Sequence, residues 1–445
     1  MATASPARAP AEGAARLDAA SSQSRRMTAR KVYIAGAGLS GLAAAVALSR
    51  AGIACELFEA SPQAGGRCRS WFDAQFEGTI DNGNHLVLSG NRATFAYLRT
   101  IGAEDRLIGP DDARFAFCDI RSGTHWTIVP NMGRLPWWVL SSARRVPGTA
   151  ARDYARYVRL LFHRRDARVR DVITCEDPAW EKLMRPLLLA ALNTAPEDAS
   201  AVLASAVLGE TLARGGRFCL PRIASPNLGA TFVEPALAWL ARTGGAVRLG
   251  ARVRAVALNE TAASALDLGD SRIALVPEDK VILAVPPSVA AALLPGLVVP
   301  DQSSAIVNGH FRAAAPASAP RMIGVIGGTA EWLFAFSDRI SVTVSGADAI
   351  VDRDREELAR SLWKDVAVAY GLGPELPPWQ IVKEKRATFR ATPEQCIRRP
   401  PARTQWSNVF LAGDWTATGL PATIEGAIRS GQKAAALALE DWRRQ

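Results

Sequence analysis

The sequence predicts an α/β fold, α+β over the whole chain, in which a Rossmann-like domain carries an inserted mixed domain. A strand, a glycine-rich turn and a helix follow one another over residues 31–50. A second strand, turn and helix occupy residues 409–440. The length of 445 residues, with 49% hydrophobic composition, suffices for two or so domains with substantial cores.

The first motif, KVYIAGAGLSGLAAAV, has the order of elements that binds dinucleotides. Gly36 allows a tight turn, Gly38 allows bare backbone to approach a pyrophosphate, and Gly41 allows the helix to pack closely on the strand. Leu39 and Ser40 begin the helix, where unpaired N–H groups attract phosphate oxygens. The motif therefore predicts a dinucleotide at the start of this helix.

A second apolar strand follows and ends at Glu59. Glu59 comes about 20 residues after the glycines, the position at which such motifs place a ribose-binding acid. Its negative charge would repel a 2′-phosphate, which disfavours NADP and leaves FAD or NAD. Strand, helix, second strand and acid in register favour this interpretation over an ordinary glycine turn.

The segment after Glu59 favours FAD over NAD. Gly65 and Gly66 allow a second close approach of the backbone. Arg67 can place a guanidinium on a diphosphate. An NAD enzyme has no use for such a second contact.

The C-terminal strand, turn and helix point to the same cofactor. Gly413 turns the chain after the strand, and Asp414 can accept a hydrogen bond from a ribitol hydroxyl. The closing helix begins near Thr423 and Ile424. Its N-terminal dipole favours negative charge on a reduced flavin ring. Two distant segments are thus predicted to hold one extended FAD.

These blocks resemble the flavin-containing amine oxidase and carotenoid desaturase superfamily over residues 30–440. The resemblance implies an amine oxidase/phytoene desaturase-like fold with FAD as cofactor, and it assigns an adenine contact to Val253 in GGAVRLGARVRAV. Amine oxidases commonly attach FAD through a cysteine of the C-terminal motif, where this chain has residues 418–420, Thr-Gly-Leu. FAD is therefore expected to be non-covalent.

Within the superfamily, residues 80–91, 187–201 and 412–431 resemble the hydroxysqualene dehydroxylase branch of hopanoid and squalene biosynthesis. This resemblance implies an oxidoreductase that reduces hydroxysqualene to squalene. Water would leave, and the N5 hydride of FADH2 would reach an allylic-type carbocation. The alternatives that stay open are a carotenoid or phytoene-type desaturase, an amine oxidase, and a non-catalytic flavoprotein that binds polyprenyl chains.

Loss of hydroxide needs a proton donor, and the sequence offers His85 and Asp81. His85 can titrate near neutrality, while Asp81 could orient it or serve itself if burial raises its pKa. His310 is a weaker candidate. The alternative is that Asp-Asn-Gly-Asn at residues 81–84 forms only a turn that shapes the flavin face.

The implied partner is a long isoprenoid, which needs a long apolar pocket. Candidate walls are four apolar segments, residues 115–118, 126–129, 183–192 and 322–336. The chain has one complete nucleotide fingerprint. Reducing equivalents must therefore come from an external donor, which is a transient reductant, a carrier protein or a quinone.

Residues 134–170 contain ten arginines and two aspartates, which is most of the net charge of +10. Trp137 and Trp138 lie within this segment, and arginines beside indoles suit the surface of an anionic membrane. We expect membrane contact here. A lid over the core is the alternative, and nucleic acid is not expected because no nucleic-acid-binding motif accompanies the charge.

The remaining features set the compartment. Residues 1–30 indicate a disordered leader without a secretory signal, and Met27 could be the true start. Six scattered cysteines suggest neither disulfides nor a metal site, which fits a reducing compartment. Prolines break the uncharged run of residues 281–300 into strand, turn and short helix. The predicted location is cytoplasmic, peripheral on the inner face of the membrane.

The predicted organisation has two discontinuous domains. The FAD-binding domain comprises residues 31–90, 240–300 and 400–445. The substrate-binding domain comprises residues 91–239 and 301–399 and includes the basic tryptophan-bearing segment, residues 134–170.

Overall fold

The computed structural model describes Met1 and residues 30–444. The predicted leader, apart from its two end residues, lies outside the described residues. The strands are β1 Lys31–Ala35, β2 Ala54–Glu59, β3 Ser70–Asp73, β4 Gly78–Asp81, β5 Leu86–Leu88, β6 Leu107–Ile108, β7 Phe115–Asp119, β8 Thr124–Ile128, β9 Pro221–Ala224, β10 Ala246–Leu249, β11 Ala255–Leu258, β12 Ala263–Asp267, β13 Arg272–Ala274, β14 Lys280–Leu283, β15 Ser303–Phe311, β16 Met322–Ile326, β17 Trp332–Ala335, β18 Ile340–Val344, β19 Trp379–Phe389 and β20 Val409–Leu411. The helices are α1 Leu39–Arg50, α2 Arg92–Ile101, α3 Arg152–Ala155, α4 Val169–Val172, α5 Arg185–Leu192, α6 Ala201–Glu210, α7 Glu234–Thr243, α8 Pro287–Leu293, α9 Arg355–Tyr370, α10 Pro393–Ile397 and α11 Ile424–Arg444.

Five parallel strands form the Rossmann-like sheet, in the order β10-β2-β1-β14-β20. They come from segments far apart in the chain. Because all five run the same way, their carboxyl ends meet at one edge, which is where open α/β sheets bind ligands. The predicted strands at β1, β2 and β20 are therefore confirmed, and the turns that follow them lie at this edge.

Glycines bring α1 against the turn that follows β1 and bring α11 against α1. A Cβ at Gly41 in α1 would lie 1.9 Å from the carbonyl oxygen of Gly36, so the helix is packed on the turn as predicted. A Cβ at Gly431 in α11 would lie 2.0 Å from the carbonyl oxygen of Ser40. The N- and C-terminal motifs are therefore packed directly against each other.

A second sheet of seven strands has the order β19-β15-β18-β17-β16-β7-β8. One face packs against α9 through a closed apolar core that includes Leu333 and Leu362. The opposite face carries Trp332 and Phe334, which line a cavity between the two sheets. The alternation of side chains along β17 thus separates core from cavity.

Residues 281–300 fold as predicted, with β14 followed by the short helix α8. Within residues 30–444, no helix is both long and apolar enough to cross a membrane. The strands of the five-stranded sheet fall at residues 31–59, 246–249, 280–283 and 409–411. The exact division into two domains remains a prediction.

Candidate active site

A cavity of about 1170 Å³ opens at the carboxyl edge of the five-stranded sheet and extends to the seven-stranded sheet. Most of the predicted site residues line this one cavity: Gly36, Gly38, Leu39, Ser40, Glu59, Gly65, Gly66, Arg67, His85, Val253, Gly413, Asp414, Thr423 and Ile424. Two of the described residues predicted for the site, Gly41 and Asp81, do not line the cavity. Gly41 has the helix-packing role expected of it.

The turn between β1 and α1 fits a diphosphate. Gly36 has φ of 100°, which favours glycine, and a Cβ there would lie 2.4 Å from the carbonyl oxygen of Ala284. At Gly38 a Cβ would project into free space, with the Cα of Gly66 as its nearest neighbour at 4.0 Å. Within the described residues, no side chain caps the N-terminus of α1. Bare backbone and free N–H groups thus face the cavity together.

Glu59 lies at the end of β2, held by backbone amides. Its carboxylate accepts hydrogen bonds from the N–H groups of Ala37 at 2.8 Å and Ser61 at 2.9 Å. The N–H of Ala251 donates to the main-chain oxygen of Glu59 at 2.8 Å, which brings the segment of Val253 alongside. The predicted ribose and adenine contacts therefore lie next to each other at one end of the cavity.

Arg67 and Asp414 lie next to each other in the wall of the cavity. Arg67 Nη2 is 2.7 Å from an Asp414 carboxylate oxygen, and its other terminal nitrogen donates to the carbonyl oxygen of Ala387. Buried Arg399 donates to the main-chain oxygens of Asp414 and Thr416, which fixes the C-terminal turn. The sequence predicted the two residues as separate cofactor contacts, whereas the structure also pairs them with each other.

The expectation that Asp81 orients His85 is wrong. The Asp81 carboxylate accepts hydrogen bonds from the Ser70 hydroxyl and the Leu228 N–H, and it pairs with the buried Arg339 at 3.4 Å. Burial raises the pKa of Asp81, although these partners oppose that shift. Asp81 therefore anchors the turn of residues 81–84 from behind.

His85 lines the cavity but does not titrate near neutrality as expected. Burial, with a smaller effect of the Arg67 charge, lowers the pKa of His85 to about 4. The ring is therefore neutral at pH 7. His310, the weaker candidate, is fully buried, with its ring nitrogens 3.0 Å from the Asp81 main-chain oxygen and 2.8 Å from the Ser341 hydroxyl. Its hydrogen bonds are structural.

Glu331 is a titratable group that the sequence analysis missed. Burial raises the pKa of Glu331 to about 7, although its hydrogen bonds with Ser345 oppose the shift. Its carboxylate accepts the N–H of Ser345 at 2.7 Å, and Ser345 lines the cavity. A lone glutamate in an apolar stretch carries no sequence signal, because its burial depends on the pairing of β17 with β18.

Apolar side chains form the far part of the cavity, as the sequence predicted for three of four segments. These side chains include Phe115, Phe117, Leu183, Leu187, Trp332 and Phe334. The fourth segment, residues 126–129, instead supports the wall, since Trp126 stacks on Phe117 with ring centroids 5.6 Å apart.

The basic segment is only partly as predicted. Trp137 is 53% exposed, with the Arg144 guanidinium 4.8 Å from its ring centre. Trp138 is 6% exposed and packs edge-on against Tyr154. Membrane contact needs indoles that face outward, which Trp137 does, whereas Trp138 joins this segment to the core.

Comparison with known proteins assigns the family. The profile described as flavin containing amine oxidoreductase matches residues 39–439. The chain belongs to this family.

Two relatives match this chain over nearly its full length. The chain is 52% identical to hydroxysqualene dehydroxylase of Sinorhizobium fredii, over 93% of this chain and 99% of the relative. It is 50% identical to hydroxysqualene dehydroxylase of Rhodopseudomonas palustris, over 92% and 98%. An oxidoreductase structure from Methanosarcina mazei superposes with a TM-score of 0.68 at 15% identity, over 91% and 99%, which supports the fold.

Replacing Glu331 by Gln should reduce the loss of stability that occurs as the pH rises from about 4.5 to about 7. A carboxyl with a pKa of about 7 in the folded chain and 4.5 in the unfolded chain ionises first when unfolded, so stability falls as the pH rises between these values. We expect the wild type to lose up to about 3 kcal/mol of unfolding free energy across this window. Urea unfolding at about pH 5 and about pH 8 measures the difference.

The matched control is Glu260→Gln, which removes an exposed carboxylate and should keep the wild-type pH dependence. Parallel pH profiles for wild type and Glu331→Gln would contradict a raised pKa at Glu331.

Proposed function

We propose that this chain is an FAD-dependent enzyme that reduces hydroxysqualene to squalene. The observation that carries the proposal is the full-length similarity, 46–52% identity, to three proteins named hydroxysqualene dehydroxylase. The cavity supports it, because an end suited to a dinucleotide continues into an end suited to an isoprenoid chain. In the reaction a C–O bond breaks, a C–H bond forms, and oxygen leaves as water.

We infer that the cavity binds FAD without a covalent bond, because residues 418–420, Thr-Gly-Leu, offer no thiol. We infer that Gly36, Gly38 and the first turn of α1 hold the diphosphate, and that Glu59 and Val253 contact the adenosine. Asp414 and the N-terminus of α11 complete the flavin end. FAD held by these residues would, in its reduced form, supply the hydride that the reaction requires.

The side chains of the apolar wall exclude water from the reacting carbon. Phe117, Leu187 and Trp332 are among the residues that line this part of the cavity. An electron-deficient carbon survives until hydride transfer only where water is absent. Neutral His85 adds no positive charge that would oppose such a centre. Glu331 still holds its proton in part of the molecules near pH 7, and its carboxylate accepts the main-chain N–H of the cavity-lining Ser345. We infer that Glu331 is the acid of the reaction.

We further propose that the enzyme works as a peripheral protein on the cytoplasmic face of a membrane. Its substrate is insoluble in water, so entry from a bilayer is the direct route. The exposed apolar side chains of residues 132–162 support this: Met132, Leu135, Trp137, Leu140, Val158, Leu161 and Phe162. Main-chain hydrogen bonds join the first part of this segment to residues 216–217, close to the cavity-lining Cys219. Surrounding arginines suit anionic headgroups. An external donor must reduce the flavin.

The proposed reaction is tested by a single turnover. Protein reduced anaerobically and mixed with hydroxysqualene should yield squalene, identified by mass spectrometry, as the flavin is reoxidised. Flavin that stays reduced and substrate that stays intact would contradict the proposal. Desaturation of phytoene by the oxidised protein would favour a desaturase instead.

Replacing Gly38 by Ala should weaken FAD binding without unfolding the chain. The added methyl occupies the space in which backbone meets the diphosphate, while its nearest protein atom lies at 4.0 Å. We expect at least a roughly tenfold loss of affinity, measured by flavin titration of the apoprotein. Gly209→Ala is the control, because a Cβ there meets nothing within 4 Å. Equal flavin affinity in both variants would exclude Gly38 as a contact.

Replacing Leu135 and Phe162 by Asp should lower binding to vesicles that contain phosphatidylglycerol. The two side chains are 79% and 78% exposed, so the change should leave the fold and flavin content intact. We expect a loss of at least about tenfold, measured by cosedimentation. Phe72→Asp is the control, since Phe72 is 70% exposed on a separate hairpin. An equal loss in the control would indicate non-specific hydrophobic adsorption to the vesicles. Unchanged vesicle binding of the double variant would contradict membrane contact.

A further inference from the structure

A chain of hydrogen-bonded polar side chains crosses the cavity face of the seven-stranded sheet. Asn84 Nδ2 donates to Thr343 Oγ1 at 3.3 Å, and Thr343 Oγ1 donates to Asn308 Oδ1 at 2.8 Å. Asn308 Nδ2 then donates to the main-chain oxygen of Asn82 at 3.1 Å. Asn84, Thr343 and Asn308 all line the cavity. The chain therefore lies where a bound molecule would pass.

The main-chain carbonyl of Asn82, which can only accept, determines the direction of all three hydrogen bonds. Asn308 must turn its amide nitrogen to the carbonyl of Asn82, so its own oxygen accepts from Thr343. A hydroxyl has one hydrogen, and this bond uses it. Thr343 can therefore only accept from Asn84, whose amide nitrogen must point that way. The atom of Asn84 that remains is its carbonyl oxygen.

The side-chain carbonyl oxygen of Asn84 is an unsatisfied hydrogen-bond acceptor among the described residues. Asn84 is 9% exposed, and its Oδ1 is buried without a hydrogen-bond partner among the described residues. The great majority of buried acceptors in proteins have a hydrogen-bond partner, so an unpaired acceptor at a cavity wall points to a ligand. Thr343 Oγ1, with its hydrogen committed, adds further acceptor capacity.

The indole N–H of Trp332 is a donor on the strand that neighbours Thr343. Trp332 pairs with Thr343 across β17 and β18, so both side chains lie on the cavity face. Trp332 Nε1 is likewise buried without a partner in the part of the chain that the structure describes. Acceptors and a donor on neighbouring strands of one cavity wall match a hydroxyl group, which both donates and accepts.

The surroundings of this pair are apolar. Phe117 packs edge-on against Trp332 with ring centroids 5.6 Å apart, and Phe334 lies two residues along the same strand face. A hydrocarbon would satisfy this wall but leave the polar atoms unpaired. An alcohol carried on a hydrocarbon chain would satisfy both.

We propose that Asn84, Thr343 and Trp332 form the binding site for the hydroxyl group of a long-chain apolar alcohol. This rests on the proposed function, for which it names the residues that distinguish substrate from product. The alcohol donates its hydrogen to Asn84 or Thr343 and accepts from Trp332 Nε1. The leaving oxygen is thereby held at the seven-stranded sheet, and the hydrocarbon product loses these contacts.

The test compares binding of hydroxysqualene and squalene to the oxidised holoenzyme, followed by the change in flavin absorbance. The wild type should prefer the alcohol by about tenfold or more. Thr343→Val keeps the shape but removes the hydroxyl, and Trp332→Phe keeps a ring but removes the N–H. Each should lower the preference several-fold while flavin content is unchanged. Thr127→Val, in β8 of the same sheet, is the control and should keep the wild-type preference.

The outcomes separate the two proposals. A wild type that reduces hydroxysqualene while both variants keep its preference would overturn the hydroxyl site alone. Loss of FAD affinity in Thr343→Val, with the preference retained, would assign the cluster to the cofactor and also overturn it. A wild type that neither binds nor reduces hydroxysqualene would overturn the proposed function and the hydroxyl site together.

Discussion

The close approach of bare backbone at the carboxyl edge of the five-stranded sheet is the constraint on which the rest of the structure depends. A side chain at Gly41 would strike the preceding turn, and one at Gly431 would push α11 away from α1. Only glycine permits both contacts. The same lack of side chains at Gly38 leaves free N–H groups facing the cavity, so tight packing and ligand binding have one physical origin.

This edge also explains how segments distant in sequence build one site. Arg67 and Asp414 are 347 residues apart, yet they form an ion pair 2.7 Å long. Arg399, buried beneath the C-terminal turn, binds its carbonyl oxygens and restrains Asp414. Such cross-links make the position of the flavin end depend on the whole fold.

The cavity combines two environments that would conflict in water. Its far wall is aromatic and aliphatic, so charged groups near it change their protonation. Burial lowers the pKa of His85, which leaves its ring neutral near pH 7, and raises the pKa of Glu331, which leaves part of its carboxyl groups protonated there. Polar groups that remain are paired in a fixed direction, as in the Asn84–Thr343–Asn308 chain. A dry pocket with a few oriented polar atoms suits a substrate that is hydrocarbon apart from one oxygen.

The sequence by itself determined the parts that depend on local order. Periodicity and residue type predict the strand, glycine turn and helix at Gly36 and Gly38. They also predict the acid at Glu59 and the closing helix after Asp414. Neighbours in the chain decide all of these features. It also determined the family, because these blocks keep their order over nearly the full length.

Only the tertiary structure decided which side chains face one another. The local pattern DNGNH suggested that Asp81 orients His85, but pairing of β4 with β3 turns the Asp81 carboxylate to Ser70. Adjacent indoles suggested one exposed pair, but Tyr154 covers Trp138. Burial and partners at such positions come from residues far along the chain, so no local pattern contains them.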